Sequence, residues 1–143
     1  MAADRTAHVT WSGSLMEGAG TITSVESGAF GPLDVTWAAR TEESEGLTSP
    51  EELIAAAHAA CFSMALSHGL AQGGTPPDAL EVDATVTFVP GTGITKVALA
   101  VRGTVPGIEE GAFLEAAEAA KENCPVSKAL AAVPEITVDA ALA

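Results

Sequence analysis

Aromatic residues and positive charge are both scarce in this 143-residue sequence. It has no tyrosine, aromatic residues make up only 4% of it, and it has 6 Lys and Arg residues against 19 acidic ones. The formal net charge of −13 disfavours nucleic acid and anionic membranes as partners, because both are bound largely through Lys and Arg. We therefore expect a protein that binds neither.

Cysteine is also scarce, since the chain has only 2, at Cys61 and Cys124. Two cysteines are too few for the disulfide framework of a small secreted domain. The N-terminus shows no basic start followed by an apolar run, and no apolar run approaches the length of a membrane span. We therefore expect a cytoplasmic protein, in which a cysteine pair is catalytic, redox-active or incidental.

The length and the 48% hydrophobic content predict one folded domain over residues 1–143. Strands are predicted from alternating apolar and polar residues, and helices from the 3.6-residue period. The predicted strands are residues 8–11, 21–25, 33–37, 80–89, 94–105 and 136–142. The predicted helices cover residues from about 50 to 68, 109–122 and 125–131, and residues 40–47 are predicted as a loop. Because strands and helices are segregated along the chain, the fold class is α+β.

The first of these helices begins with a strong start signal. Ser49 can cap it, Pro50 suits the first helical position, and Glu51 and Glu52 follow near the positive end of the helix dipole. No charged side chain occurs over residues 53–66. A helix that is apolar on most faces is buried on most sides, so we expect it at the centre of the fold.

The two cysteines lie in different settings. Cys61 lies within the apolar helix, where a thiol is often a small buried hydrophobe, and apolar burial would raise its pKa and make it inert. Cys124 precedes Pro125 near the start of a short helix, where free N–H groups favour a thiolate. The spacing of the two fits no compact metal-binding pattern. A zinc site made from both cysteines and a histidine stays open as a weakly supported alternative.

Three further side chains could take part in thiol chemistry. Arg40 follows the third predicted strand, at the start of the predicted loop that leads to the central helix, and its guanidinium could stabilise a thiolate, although a solvated surface arginine is the simpler interpretation. Glu51 could pair with Arg40, but ten residues of helix, roughly 15 Å of rise, separate Glu51 from Cys61. If Glu51 serves a Cys61 site, we expect it to act across a subunit boundary. His58 is one turn before Cys61 and can contact it, although a packed core histidine is more frequent.

The sequence resembles the OsmC/Ohr family of osmotically induced and organic hydroperoxide resistance proteins over almost its whole length. The long segment over residues 48–67 is similar to the family's central-helix signature and reads TSPEELIAAAHAACFSMALS. The CPVS segment that starts at Cys124 is similar to its second cysteine motif. The position of Arg40 and the presence of His58 are similar to the OsmC branch.

The resemblance implies an intertwined homodimer in which antiparallel sheets wrap long central helices, with active sites at the subunit interface. It implies that Cys61 attacks the peroxide, that Cys124 resolves the resulting sulfenic acid as a disulfide, and that Arg40 and Glu51 form the activating pair. It implies organic hydroperoxides as substrates, hydrogen peroxide as a weaker one, and an external dithiol such as a lipoyl group as reductant, with no metal or other cofactor.

Two questions stay open at this stage. The helix N-terminus favours Cys124 as the thiol of lower pKa, whereas the family resemblance assigns attack to Cys61, with Arg40 as the missing cation. A redox sensor that is oxidised once, or a stress-binding protein with the same cysteine pair, is the alternative to a cycling peroxidase. A purely structural role for both thiols is the third interpretation.

Overall fold

The computed structural model describes all 143 residues of the chain. The chain divides into two compact units, residues 1–50 and 51–143. The prediction of one domain over residues 1–143 stays a prediction.

The first unit is built on a three-stranded antiparallel sheet. Its strands are β1 (Ala7–Ser12), β2 (Ala19–Val25) and β3 (Leu33–Val35), in the order β1-β2-β3. A short helix, α1 (Trp37–Thr41), follows and is capped by the Thr36 side chain, which accepts a hydrogen bond from the Ala39 N–H. The predicted loop over residues 40–47 therefore starts later than expected, because this cap nucleates a helical turn.

The second unit contains the longest helix and the larger sheet. The helix is α2 (Pro50–Gln72), the sheet strands are β4 (Ala79–Val89), β5 (Gly93–Thr104) and β6 (Glu135–Leu142), and the remaining helices are α3 (Glu110–Asn123) and α4 (Pro125–Ala129). β4 and β5 form the predicted hairpin. β6 lies on the other side of β5 and pairs parallel to it. The second sheet is therefore mixed, in contrast to the antiparallel sheets that were expected.

One hydrophobic core holds the second unit together. α2 contributes one face at four-residue spacing, α3 contributes Phe113, Ala117 and Ala120, and β5 contributes Leu99 and Val101. The contributing face of α2 consists of Phe62, Leu66 and Leu70. Cys124 is part of this core and Cys61 packs against it. The α+β fold with a long helix is confirmed, and both cysteines lie beside the same core.

The other faces of α2 are much less covered than expected within one chain. Met64 is 73% exposed, and Ala56, Ala57 and Ala60 are also exposed or only partly buried. By length and composition, α2 could cross a membrane: its most apolar 18-residue window has a mean hydropathy of 1.4, and 22% of it is buried. The expectation that no apolar run approaches that length is therefore wrong. The core helix of a soluble protein meets the same criteria, so this observation alone does not assign α2 to a membrane.

Candidate functional site: a pair of thiols in contact

Helix α2 presents two chemically active side chains to the interior of the second unit. His58 and Cys61 are three residues apart, so they lie on neighbouring positions of one helical face. His58 is fully buried, and Cys61 is a free, partly exposed thiol. The helix persists through this segment because it is rich in Ala and Leu, and neither Pro nor Gly interrupts it before Gly69.

Cys124 lies at the junction of two helices. It ends α3, with its N–H donating to the Ala120 carbonyl at 2.9 Å, and it is also the residue before α4, with its carbonyl accepting from the Lys128 N–H at 3.1 Å. Pro125 takes the first position of α4, where a missing N–H has no consequence. The predicted position of Cys124 at the start of the short helix is therefore correct.

The fold brings the two thiols together although 63 positions separate them in the sequence (124 − 61). The Cys61 and Cys124 side chains lie close enough for each to shift the pKa of the other, and both are free thiols. The Cys124 side chain is 0% exposed, whereas Cys61 keeps partial access to solvent. A sulfur reachable from outside, in contact with a second sulfur in the core, can be oxidised and then form a disulfide within the same chain.

The surroundings of the two sulfurs shift their pKa values in opposite directions. Burial raises the pKa of Cys61, and the hydrogen bond with Cys124 raises it further, against the opposing effect of the Val126 N–H. Burial also acts to raise the pKa of Cys124. The Cys61 thiol, the N–H groups of Ser127 and Val126, and the Ser127 hydroxyl together outweigh burial, so the pKa of Cys124 lies below its ordinary value. Within this chain, Cys124 therefore loses its proton first.

A second hydrogen bond crosses the same junction. The His58 Nε2 and the Ser127 Oγ are 2.7 Å apart and both side chains are buried. Burial lowers the pKa of His58 below its ordinary value, so the imidazole is neutral near pH 7. Its other nitrogen, Nδ1, is buried and has no hydrogen-bond partner in the chain. The expectation of a packed core histidine for His58 is thus correct.

The two other predicted site residues belong to different parts of the chain. Arg40 lies within α1, not in a loop, and its guanidinium is 5.7 Å from the centre of the Trp37 ring. Glu51 lies in the first turn of α2 and is only 6% exposed. Since α2 is continuous from Pro50 to Gln72, Glu51 and Cys61 of one chain are roughly 15 Å apart along the helix axis.

Sequence reasoning did not single out Ser127. A usable signal was present, because Ser127 is three residues after Cys124 in the same motif and reaches the same face of a helical turn. Two apolar residues close to Cys61 in the sequence, Phe62 and Met64, could be expected to line a substrate pocket. Phe62 does not, because its side chain is fully buried in the core. Met64 lines an open groove of about 540 Å³ with Ser67, His68 and Leu80, but neither cysteine lines this groove.

No group of three or more His, Cys, Asp and Glu side chains in the chain could hold a metal ion. The chemistry that the site offers without one is that of two thiols in contact. This arrangement is typical of thiol-based redox proteins.

Comparisons with known proteins identify the family. The family model described as OsmC-like protein matches residues 42–139. Peroxiredoxin OsmC of Escherichia coli is 44% identical over 132 residues, which is 90% of this chain and 90% of that protein. The chain therefore belongs to the OsmC-like family. The predicted enzyme class, a peroxidase, is confirmed by this relative.

Solved structures agree with the family assignment. The organic hydroperoxide resistance protein OhrB of Bacillus subtilis superposes with a TM-score of 0.67 at 28% identity, covering 96% of this chain and 98% of that one. An OsmC-like protein of unknown function from Vibrio cholerae superposes with a TM-score of 0.73 at 18% identity, covering 97% of this chain and 99% of that one. The latter similarity shows the fold alone.

Proposed function

We propose that this protein reduces organic hydroperoxides, and hydrogen peroxide more weakly, through a Cys61 sulfenic acid and a Cys61–Cys124 disulfide. The observation that carries the proposal is the contact between the two thiols. Relatives named peroxiredoxin and organic hydroperoxide resistance protein support the substrate class. An external dithiol, such as a lipoyl group, then reduces the disulfide.

Solvent access supports Cys61 as the attacking thiol. A peroxide must reach the sulfur that it oxidises, and Cys124 is fully buried whereas Cys61 is partly exposed. The Cys61 sulfur takes the distal peroxide oxygen, the O–O bond breaks, and the alcohol leaves after it takes a proton. Cys124 then attacks the oxidised sulfur, and the disulfide forms with release of water.

Trapping the sulfenic acid tests this order of attack. On addition of cumene hydroperoxide, Cys124→Ser should accumulate a sulfenic acid that a dimedone probe labels at residue 61, because no second thiol can resolve it. Cys61→Ser is the matched control and should remain unlabelled. Labelling of Cys61→Ser alone would reverse the two roles.

Steady-state turnover tests the reaction itself. Native protein should consume an alkyl hydroperoxide catalytically with a lipoyl dithiol, and faster than it consumes hydrogen peroxide. A single stoichiometric oxidation with no turnover, in the presence of several dithiols, would instead identify a redox sensor.

We further propose that the active protein is a homodimer in the cytoplasm. The exposed apolar face of α2, which includes the largely exposed Met64, supports a second copy as its cover, because contiguous exposed apolar surface is typical of interaction sites. Arg40 would supply the cation that Cys61 needs, and the carboxylate of Glu51 from the second copy would hold that guanidinium. The helix geometry supports this arrangement, because Glu51 cannot reach Cys61 along its own helix.

Mixing two inactive variants tests the shared site. Glu51→Gln and Cys61→Ser should each lose most of the peroxidase activity. After subunit exchange, each heterodimer regains one complete site, so an equimolar mixture should recover about a quarter of the native activity, as expected for a twofold dimer. No recovery, with heterodimers demonstrated by mass spectrometry, would show that each site is built from one chain.

A further inference from the structure

Two parallel connections join α2 to the turn that carries Cys124. One is the contact between Cys61 and Cys124. The other is the buried hydrogen bond between His58 and Ser127. His58 and Cys61 are three residues apart in α2, and Cys124 and Ser127 are also three residues apart, so each helical segment presents its two side chains one turn from each other.

The hydrogens available on His58 and Ser127 limit which of the two residues donates the hydrogen bond between them. A serine hydroxyl has one hydrogen, and a neutral imidazole has one N–H. Ser127 follows Cys124 by one turn at the start of α4 and is buried against His58, so its hydroxyl hydrogen can be directed at the Cys124 sulfur, and a hydrogen bond there would also lower the pKa of that thiol. With the hydroxyl hydrogen used in this way, His58 donates from Nε2 to the Ser127 Oγ. This tautomer leaves Nδ1 as a bare acceptor, which agrees with its lack of a partner, since a buried acceptor without a partner is better tolerated than a buried N–H.

We propose that His58 and Ser127 form a positioning pair for the resolving step, in which Nε2–H of His58 donates to Ser127 Oγ and the Ser127 hydroxyl donates to the Cys124 sulfur. This inference rests on the proposed role of Cys124 as the resolving thiol. The pair holds the Cys124 sulfur against Cys61 and stabilises its negative charge. The imidazole itself stays neutral throughout and never contacts the peroxide.

The positioning pair assists the formation of the disulfide. The Cys124 thiolate forms the S–S bond with Cys61 while the S–O bond of the sulfenic acid breaks. The Cys124 sulfur is oxidised, the Cys61 sulfur is reduced, and the departing hydroxide leaves as water with the proton that Cys124 gave up. A lower pKa of Cys124 raises the fraction of the thiolate that can start this step.

The acidity of Cys124 can be measured without any peroxidase activity. In Cys61→Ser the only remaining thiol is Cys124, and its ionisation can be followed by the ultraviolet absorbance of the thiolate. Adding Ser127→Ala should raise the pKa of Cys124 by about one unit, which is a tenfold smaller thiolate fraction, since one unit corresponds to one charge-assisted hydrogen bond of ordinary strength. Adding His58→Leu should raise it less, because His58 acts through the hydroxyl.

Conservative and control variants separate this role from a structural one. His58→Gln keeps an N–H donor and should restore much of what His58→Leu loses. Ser63→Ala is the matched control, because it also removes a serine hydroxyl, one on α2 that donates to the Ala59 carbonyl at 2.6 Å, and it should leave the pKa of Cys124 unchanged. Variants that unfold at a lower temperature are measured at a lower temperature, so that every variant is folded when the pKa of Cys124 is determined.

A second measurement is the rate at which the Cys61 sulfenic acid forms the disulfide with Cys124, in proteins that keep both cysteines. Ser127→Ala should slow disulfide formation by about tenfold while sulfenic acid formation keeps its native rate, because the expected change in thiolate fraction is tenfold. An unchanged pKa of Cys124 in Ser127→Ala, with the variant folded, would overturn the positioning pair and leave the proposed function intact. Failure of Cys124→Ser to form a sulfenic acid would overturn the proposed function, whatever the pKa.

Discussion

Gly103 offers a direct test of how the core positions the site. It lies on the central strand β5, opposite Leu80 of β4 and Leu142 of β6. A Cβ at this position would lie 2.6 Å from Cζ and 2.8 Å from Cε1 of Phe113, and 3.3 Å from Cδ2 of Leu80. Phe113 is fully buried on α3, and α3 ends at Cys124. The substitution Gly103→Ala therefore pushes against the helix that delivers the second thiol.

The magnitude follows from the contacts. Carbon atoms pack at about 3.5–4.0 Å, so the ring must retreat by about 1 Å or the strand must shift. Overpacking of this kind costs about 1–3 kcal/mol, while replacing glycine within a strand returns about 0.5–1 kcal/mol of backbone entropy. The difference between these two effects spans about 0–2.5 kcal/mol, and we expect Gly103→Ala to lower the free energy of unfolding by about 1 kcal/mol, near the middle of that range.

Urea unfolding at one fixed protein concentration measures this change, because association would otherwise alter the apparent stability. Phe113→Leu, which shortens the clashing side chain, should relieve the strain, so that Gly103→Ala costs less in that background by about 1 kcal/mol, a coupling typical of residues in contact. Gly111→Ala in α3 is the matched control. No heavy atom lies within 4 Å of its Cβ position, so it should stabilise the helix by about 0.5–1 kcal/mol. Native stability of Gly103→Ala, or an unchanged cost of that substitution in the Phe113→Leu background, would refute the reasoning.

Three further predictions concern the proposed assembly and site. Met64→Glu should weaken dimerisation by about 100-fold or more, because a contact that would bury two methionines must then accept two charges; sedimentation measures this, and an unchanged dissociation constant contradicts the assigned face. Because burial lowers the pKa of His58, the unfolded chain binds a proton that the folded chain does not, so stability should fall as the pH drops below about 6.5, by at most about 1.4 kcal/mol per unit. His58→Gln should lose that part of the pH dependence in urea titrations. The same dependence of stability on pH in His58→Gln and in the native protein would contradict the assignment of this effect to His58. Arg40→Lys should lower kcat/KM for an alkyl hydroperoxide by about tenfold or more, since an ammonium lacks the fixed donors of a guanidinium, whereas Arg102→Lys, which alters a surface pair with Asp139, should not.

The parts of the fold that depend on local patterns could be predicted from the sequence. The alternation over residues 80–89 predicted β4 to within one residue, because the apolar face of that strand packs on the core. The parallel pairing of β6 with β5 could not be predicted in the same way. Alternation indicates which side chains share a face, but the neighbour of a strand and its direction are decided by long-range packing. Helix α1 was missed because five residues give no detectable period.

In the candidate site too, features that depend on nearby residues could be predicted from the sequence, and features that depend on distant residues could not. The helical settings of Cys61 and Cys124 followed from the sequence, and so did the tendency of Cys124 toward a low pKa, since both depend on neighbours a few residues away. The partner of Ser127 is 69 residues away, and no local pattern encodes that distance. The contact between the two sulfurs was available only through the family resemblance.

Solvent access and acidity are divided between the two sulfurs, and in the proposed mechanism this division gives each thiol a different role. The sulfur of lower pKa, Cys124, has no exposed surface, so a peroxide cannot approach it first. The accessible sulfur, Cys61, has a raised pKa within its own chain, so the proposed mechanism needs a cation beside it to form a thiolate. In the proposed mechanism, Cys61 becomes a thiolate only when the cation lies beside it, whereas Cys124 can lose its proton without that cation. Once the sulfenic acid forms, resolution by the neighbouring thiolate should therefore outpace a second oxidation. Native protein should tolerate an excess of hydroperoxide that drives Cys124→Ser to the sulfinic acid, and mass spectrometry of residue 61 in both proteins measures this difference.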